Sequence, residues 1–340
     1  MPPKRKKWLI TIALFAGLIA LVAFFFLRSF PLAELKDALK AVRPILLLPG
    51  FCLMFLFVLC EATASSRILA ALGAPLPVRR CYTSSLLSFC CASITPSSSG
   101  GQPAQIYVMT HYGVPLSTAS LTILVLSMSY QCSMLATGLA SYALLGGGLS
   151  SGGVGLLLLF GAGINAALTV GMLCVIFLPR VARTVIFGCI SLLCRLNILK
   201  DGGKSVREKA EGGLQHYAKG AECIRRSPKL LLQVFCCTTM QCMCMMLVPA
   251  VVCLALGMPG QSLRAVGTQA VLTLSTAAFP LPGAVGAAEG GFLNLFAPIF
   301  GADMVAPALV LCRGINFYLF LPICAVCALL SLRAPVKQPA

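Results

Sequence analysis

The sequence predicts an all-α polytopic membrane protein with about six spanning helices and two oppositely oriented re-entrant helical hairpins in an inverted repeat. Its composition is 59% hydrophobic and only 10% charged, with a mean hydropathy of +0.94, which is typical of helical membrane proteins and excludes a soluble globular domain. Six apolar runs are long enough to cross a bilayer. Two further apolar segments, 81–112 and 265–300, are interrupted near their middles by proline, glycine and polar residues. We therefore treat residues 1–340 as one integral membrane domain.

The first predicted element is an anchor helix over residues 8–27, preceded by the basic cluster 4–7. The apolar run is longer than that of a signal peptide, and no small-residue cleavage site precedes Arg28, so we expect the helix to be retained. The basic cluster favours a cytoplasmic N-terminus, and Trp8 suits the membrane interface. Residues 1–43 thus form an anchor helix and a loop.

Five later apolar runs have the length of a membrane span. They cover residues 44–60, 115–145, 154–178, 230–256 and 305–332. They divide the chain into a first half, 44–178, and a second half, 230–332, which are separated by a basic segment, 179–229, and followed by a tail, 333–340.

The distribution of positive charge sets the topology. Residues 180–229 hold eleven lysines and arginines against four acids, which places this segment in the cytoplasm. Residues 61–80 follow two crossings and are then cytoplasmic too, so an even number of crossings must join them to residue 180. Segment 81–112 must therefore enter and leave on one side, or cross twice. The same count makes 265–300 a hairpin that enters from outside, which leaves both termini cytoplasmic.

An alternative is that both interruptions are proline and glycine kinks in ordinary packed helices. A kinked helix still crosses the membrane once, which would leave an odd number of crossings between the basic segments 61–80 and 180–229 and place them on opposite sides. The inverted repeat keeps both in the cytoplasm and is therefore favoured. Inverted repeats in transporters place two broken helices against one site near the bilayer midplane.

The stretch 94–105 is polar, glycine-rich backbone inside a membrane segment. Because unpaired backbone groups are costly in hydrocarbon, such a stretch must line a cavity or be buried in protein. Pro103 suits the first position of a short helix that runs to Tyr112, and the preceding glycines leave backbone N–H groups open. A helix N-terminus favours anions such as phosphate. Pro282 and Gly283 repeat this arrangement from the other side, which predicts a phosphate path between two hairpin tips.

Glu289 and Arg313 are the ionisable residues predicted to lie well inside the membrane, apart from His111 and the boundary residue Glu61. Charges within a membrane are costly and usually functional. Two interpretations stay open: they pair with each other, or Arg313 neutralises a lipid phosphate while Glu289 receives a cationic headgroup. The predicted headgroup path comprises Ser97, Ser98, Ser99, Gly100, Gly101, Gln102, Gln105, Tyr107, Pro282, Gly283, Gly286, Glu289, Asn294, Arg313, Asn316 and Tyr318.

Several functional classes are not expected. The net charge of +17 resides in loops between apolar runs, so anionic lipid rather than nucleic acid is the expected partner. With only two histidines, no catalytic residues, metal or cofactor are predicted. The cysteine and methionine run at 240–246 allows a soft Cu(I) site as an alternative to helix packing. Packing is favoured because no second cluster at ligand spacing accompanies this run.

Three motifs carry a resemblance to a known family. Residues 95–107, which read TPSSSGGQPAQIY, residues 280–290, which read PLPGAVGAAEG, and the segment 313–322 resemble the transmembrane, flippase-like domain of the lysylphosphatidylglycerol synthase family, also called multiple peptide resistance factor. The resemblance covers nearly the whole chain. It implies that full-length members add a soluble domain that transfers lysine from lysyl-tRNA to phosphatidylglycerol, and we expect this chain to lack that domain.

The resemblance implies a phospholipid translocase in a bacterial plasma membrane. Its substrate would be lysylphosphatidylglycerol or a related aminoacylated or anionic phospholipid, and its activity would contribute to resistance to cationic antimicrobial peptides. Two alternatives remain: a phosphatidylglycerol lysyltransferase, as in the family name, or a membrane partner whose basic segment 180–229 docks a separate synthase or an anionic lipid surface. A homo-oligomer is also compatible with the sequence.

Overall fold

The computed structural model describes residues 42, 44–95, 98–145, 152–195, 204–277 and 286–332, and over these ranges the regular secondary structure is helical. A short 3₁₀ turn, Pro44–Leu47, leads into the first described helix. The α-helices of the described ranges are α1 Leu48–Ala71, α2 Val78–Ile94, α3 Gly101–His111, α4 Leu116–Leu144, α5 Gly152–Phe177, α6 Pro179–Arg195, α7 Lys204–Arg225, α8 Pro228–Met246, α9 Val248–Ala255, α10 Ser262–Thr276, α11 Ala287–Phe300, α12 Val305–Arg313 and α13 Phe320–Leu332.

Five helical segments in the described ranges are long and apolar enough to cross a membrane. They are Ile45–Ala71, Leu116–Leu144, Gly155–Phe177, Pro228–Ala255 and Val305–Cys327. Each coincides with one of the spans predicted from sequence, which confirms an all-helical, multi-pass membrane protein. The predicted anchor helix at 8–27 and the tail at 333–340 lie outside the described residues.

The first described span is longer than predicted. The apolar run ends at Cys60, but α1 continues to Ala71, so Glu61 lies in the middle of the helix and its placement at a membrane boundary is wrong. The extension is stable because its small residues pack closely: Ala62, Ala64 and Ser65 are fully buried. Packing against neighbouring helices, rather than hydrophobicity alone, determines where this helix ends.

The first interrupted segment forms an antiparallel helical pair. Gly101 at the start of α3 lies against Ser88 and Ala92 of α2, while at the far end the Arg80 guanidinium lies 5.2 Å from the Tyr112 ring centroid. The chain therefore returns to the end from which it came. At 1.5 Å per residue, the 17 residues of α2 and 11 of α3 span roughly 25 and 16 Å, less than the roughly 30 Å of a hydrocarbon core.

The second interrupted segment has the same plan. Helix α10 ends at Thr276 and α11 begins at Ala287, so the predicted interruption at 279–283 falls between two helices, although residues 278–285 lie outside the described ranges. A Cβ at Gly291 of α11 would lie 2.5 Å from a side-chain carbon of Leu272 in α10, which shows how closely the two helices pack. Their 15 and 14 residues span roughly 22 and 21 Å.

Two of the spans are themselves broken. Helix α8 gives way to α9 at Leu247, just before Pro249, whose ring cannot continue the hydrogen-bond ladder. A π-helical turn, Gly314–Tyr318, separates α12 from α13. Such turns often mark functional positions in helices, and this one begins directly after Arg313.

The two halves of the chain contact each other in corresponding ways. Helix α1 packs along α8, α2 packs against α13, and α10 packs against α4. Helix α3 packs on the following helix α4, just as α11 packs on the following helix α12. Each interrupted segment thus contacts helices of its own half and a spanning segment of the other half.

The basic segment predicted between the halves is helical in its described parts, as α6 and α7. The Tyr217 hydroxyl of α7 donates to the carbonyl of Val175 near the end of α5, at 3.2 Å. The Cys223 thiol donates to the carbonyl of Ala71 at the end of α1. These contacts place α7 at the ends of α1 and α5.

Candidate functional site

A polar cavity of about 720 Å³ lies between the two helical pairs. It is bordered by α2 and α3 on one side, by α10 and α11 on the other, and by spanning helices of both halves. Its polar lining includes Glu61, Ser88, Ser93, Ser98, Ser99, Gln102, Gln105, Ser127, Tyr130, Gln131, Asn165, Gln241, Gln269, Thr273, Thr276, Arg313 and Asn316. The structure therefore brings together both interrupted segments, as a midplane site requires.

The tip of the first pair borders this cavity through Ser98, Ser99 and Gly101. Ser98 has a φ of 56°, a left-handed conformation that is uncommon for a residue with a side chain. The N–H of Gly100 donates to the Thr95 hydroxyl at 2.8 Å, so the prediction that this group is open is wrong. The helix also begins at Gly101, two residues before Pro103.

Gln102 and Gln105 leave α3 in two directions. The Gln102 amide donates to the Ser127 hydroxyl of α4 at 2.9 Å, which joins α3 to α4 at the cavity wall. The Gln105 amide is buried and donates to Glu61 of α1 at 2.8 Å. The half-helix α3 is therefore tied by amide side chains to two spanning helices.

Glu289 and Arg313 form an ion pair, with Arg313 Nε 3.5 Å from Glu289 Oε1 and with side chains only 14% and 13% exposed. The Glu289 carboxylate also accepts from the backbone N–H of Gly286 and from the Tyr318 hydroxyl. Of the two interpretations left open by the sequence, pairing is the one observed. Glu289 holds the start of α11 and orients Arg313.

Two polar atoms at the cavity remain without a hydrogen-bond partner beside the ion pair and could bind a ligand. Among the described residues, Arg313 Nη2 and Asn316 Oδ1 are buried without a hydrogen-bond partner, and both residues border the cavity. A buried polar group without a partner costs about 1–3 kcal/mol. These atoms form a donor and an acceptor that a polar ligand entering the cavity would satisfy.

Glu61 is the site residue that the sequence reasoning placed wrongly. Its two oxygens accept from the amides of Gln105, at 2.8 Å, and Gln241, at 2.9 Å, so one carboxylate joins α1, α3 and α8. The sequence features that could have indicated this site are an acid followed by small residues and the glutamines inside later apolar segments. Gln131, Asn165, Gln241 and Gln269 were also missed, because a single amide side chain within an apolar segment does not by itself indicate a site.

The other predicted residues are distributed as follows. Gly286 caps the start of α11 with a φ of 88°, which favours glycine. Tyr107 is 67% exposed, and the Asn294 amide donates to the carbonyl of its own helix at Gly290, at 2.8 Å; in the described wall, neither borders the cavity. Tyr318 is buried beside Glu289. Three predicted residues lie outside the described ranges: Ser97, Pro282 and Gly283.

The cavity presents polar and charged side chains to a ligand. In the described part of the chain, no cluster of three or more histidine, cysteine or acidic side chains is placed to hold a metal ion. The described lining offers hydroxyls, amides, one guanidinium and one carboxyl group. Fold and site together define a multi-pass helical membrane protein with a polar chamber between two short helical pairs.

The family model "Lysylphosphatidylglycerol synthase TM region" matches residues 8–324. The chain therefore belongs to this family, and the resemblance seen in the sequence is confirmed. No curated protein matches the chain significantly. The family's name connects the protein with lysylphosphatidylglycerol.

Proposed function

We propose that this protein is a phospholipid translocase that moves lysylphosphatidylglycerol or a related phospholipid between leaflets. The observation that carries the proposal is the unpartnered Arg313 Nη2 in a polar cavity between two helical pairs too short to span. Guanidinium groups are well suited to phosphate because they donate in a fixed fork.

The arrangement of helices supports an inverted repeat. Helix α2 packs against α13 as α10 packs against α4, and each pair of short helices is followed by the span on which it packs. We infer that both pairs are re-entrant and enter from opposite faces. Broken helices around a fixed midplane site are the usual basis of alternating access in transporters.

In the proposed path the headgroup crosses through the cavity while the acyl chains stay in the bilayer. The phosphate lies at Arg313 Nη2, and its glycerol or aminoacyl oxygens reach Asn316 and the serines of the first tip. Without the cavity, a charged headgroup would have to enter hydrocarbon, at a cost of several kcal/mol or more. The outer face of α5 suits the acyl chains, since Leu156 and Leu159 are 70% and 71% exposed.

The test is a leaflet assay in proteoliposomes that carry lysylphosphatidylglycerol in one leaflet. The double variant Glu289→Gln/Arg313→Gln removes both charges of the pair, so neither partner is left buried as an uncompensated ion. We expect it to slow movement about 10- to 100-fold, because a hydrogen bond to a charged group contributes about 1.5–3 kcal/mol. The matched control is Arg264→Gln on the exposed part of α10, which should move lipid at the wild-type rate.

Unchanged movement in the double variant would remove the assigned phosphate site. Absence of any protein-dependent movement would contradict the translocase. Aminoacylated lipid made by the purified chain from charged tRNA would instead favour the lysyltransferase alternative.

A further inference from the structure

Glu61 brings a carboxyl group to the cavity, where no basic side chain of the described residues pairs with it. Both oxygens accept from buried amides, Gln105 at 2.8 Å and Gln241 at 2.9 Å, and the Ser85 hydroxyl donates to the same carboxylate. Among the described residues, no lysine, arginine or histidine forms an ion pair with it; the ion pairs found there involve other acids.

Neutral donors stabilise the carboxylate but leave its charge uncancelled. Hydrogen bonds to an ionised acceptor are about twice as strong as neutral ones, yet an unpaired ion at membrane depth remains costly. Gln105 lies on α3 of the first half and Gln241 on α8 of the second half, so hydrogen bonds from both halves orient the carboxyl group at the cavity wall. The site is therefore built to meet a cation that arrives from the cavity.

The charge balance of the cavity points to the kind of headgroup. Arg313 and Glu289 cancel each other as an ion pair, so among the described charged side chains at the cavity an ionised Glu61 leaves one net negative charge. A cation bound beside Glu61 favours that ionised form. A headgroup with one phosphodiester and two ammonium groups carries one net positive charge and makes the loaded cavity neutral. A headgroup with a phosphodiester alone makes it doubly negative.

We propose that Glu61 binds an ammonium group of the translocated headgroup and selects aminoacylated over unmodified anionic phospholipid. This inference rests on the proposed translocase and names a specificity-determining residue for it. An ammonium group has three donors. Glu61 supplies one acceptor, and the wall of the same cavity contains Gln131 Oε1, which is buried without a partner in the described chain. The phosphate is then left to Arg313.

The experiment compares the movement of lysylphosphatidylglycerol and phosphatidylglycerol in the same proteoliposomes. Glu61→Gln removes the charge and keeps the size, and we expect the ratio of the lysyl lipid rate to the unmodified lipid rate to fall about tenfold or more. Glu61→Asp keeps the charge and should keep a preference for the lysyl lipid. The matched control is Glu222→Gln on α7, where the acid pairs with Arg226 at the surface; its ratio should equal that of the wild type.

A second variant tests the same role of Glu61 without removing its carboxyl group, in case Glu61→Gln does not fold. Gln241→Lys places an ammonium group beside Glu61 and fills the site from within the protein, so it should also lower the ratio about tenfold. If either folded variant keeps the wild-type ratio, the role of Glu61 is overturned. The proposed function then still stands, provided that Glu289→Gln/Arg313→Gln slows both lipids. If the wild type moves neither lipid, the proposed function itself fails.

Discussion

Gly161 offers a test of how the second helical pair is held. It lies in α5, and a Cβ at this position would lie 2.3 Å from the Leu274 carbonyl oxygen and 3.0 Å from the Ser275 Cα in α10. Both are backbone atoms, which no side-chain rotation can move. Gly161→Ala must therefore push α5 and α10 apart by about 1 Å, since non-bonded carbon and oxygen atoms need about 3.3 Å.

The magnitude follows from two opposing terms. Overpacking of a tight interface costs about 1–3 kcal/mol, and replacing glycine by alanine within a helix returns up to about 1 kcal/mol. We expect a net loss of about 1–2 kcal/mol in the free energy of unfolding. The cavity should also widen, because Gln269, Thr273 and Thr276 reach it from α10.

The matched control is Gly163→Ala, two residues along the same helix, where a Cβ would meet nothing within 4 Å. This variant should be as stable as the wild type or up to about 1 kcal/mol more stable. The assay is unfolding in mixed micelles with increasing denaturing detergent, followed by circular dichroism. Equal stability of the two variants would refute the close approach of α5 and α10.

Three further predictions follow from the structure. Gly101→Ala brings a Cβ to 2.9 Å from the Ala92 Cβ and 3.0 Å from the Ser88 carbonyl oxygen, so it should loosen the first pair and slow lipid movement in the leaflet assay, and a wild-type rate would argue against this contact. Thr238→Val removes a hydroxyl that lies 2.8 Å from Ser129 Oγ and 3.0 Å from Ser133 Oγ; detergent unfolding should show a loss of about 0.5–1.5 kcal/mol, whereas Thr63→Val, whose hydroxyl bonds to its own helix at Leu59, should lose less. Burial raises the pKa of Tyr217, which lies outside the spans, to about 12. Because folding favours the neutral phenol, its contribution to stability is complete below a pH of about 10 and is lost as the pH rises through about 12. The wild type should therefore lose more stability between these pH values than Tyr217→Phe.

The spans and the interruptions were predictable because each depends on local sequence. A run of apolar residues of sufficient length predicts a span, and proline with glycine predicts where a helix must stop. The pairing of Glu289 with Arg313 was one of two stated interpretations, since two opposite charges in one membrane domain are stabilised by contact. Their separation of 24 positions along the chain did not decide between pairing and ligand binding.

Glu61 was misplaced because its environment is made by distant parts of the chain. The acid ends an apolar run, which read in isolation indicates a boundary. Its partners, Gln105 and Gln241, are 44 and 180 positions away, and no local periodicity reveals that they converge. Close packing of Ala62, Ala64 and Ser65 then carries the helix further than hydrophobicity predicts.

The π-helical turn after Arg313 was missed for a related reason. Gly314 permits a change of helical geometry, but a single glycine within an apolar run is common in membrane helices. What distinguishes this position is the neighbouring Arg313, which must reach Glu289 on another helix. The signal is tertiary, so sequence reasoning about one element does not find it.

The most direct test of the proposed headgroup path is a cryo-electron microscopy map of the protein in nanodiscs containing lysylphosphatidylglycerol. We predict a phosphate in the cavity with an oxygen about 3 Å from Arg313 Nη2, an ammonium group at Glu61 and the acyl chains leading outward between the helices. Lipid headgroups found only around the perimeter of the protein, with the cavity closed by side chains, would contradict the path.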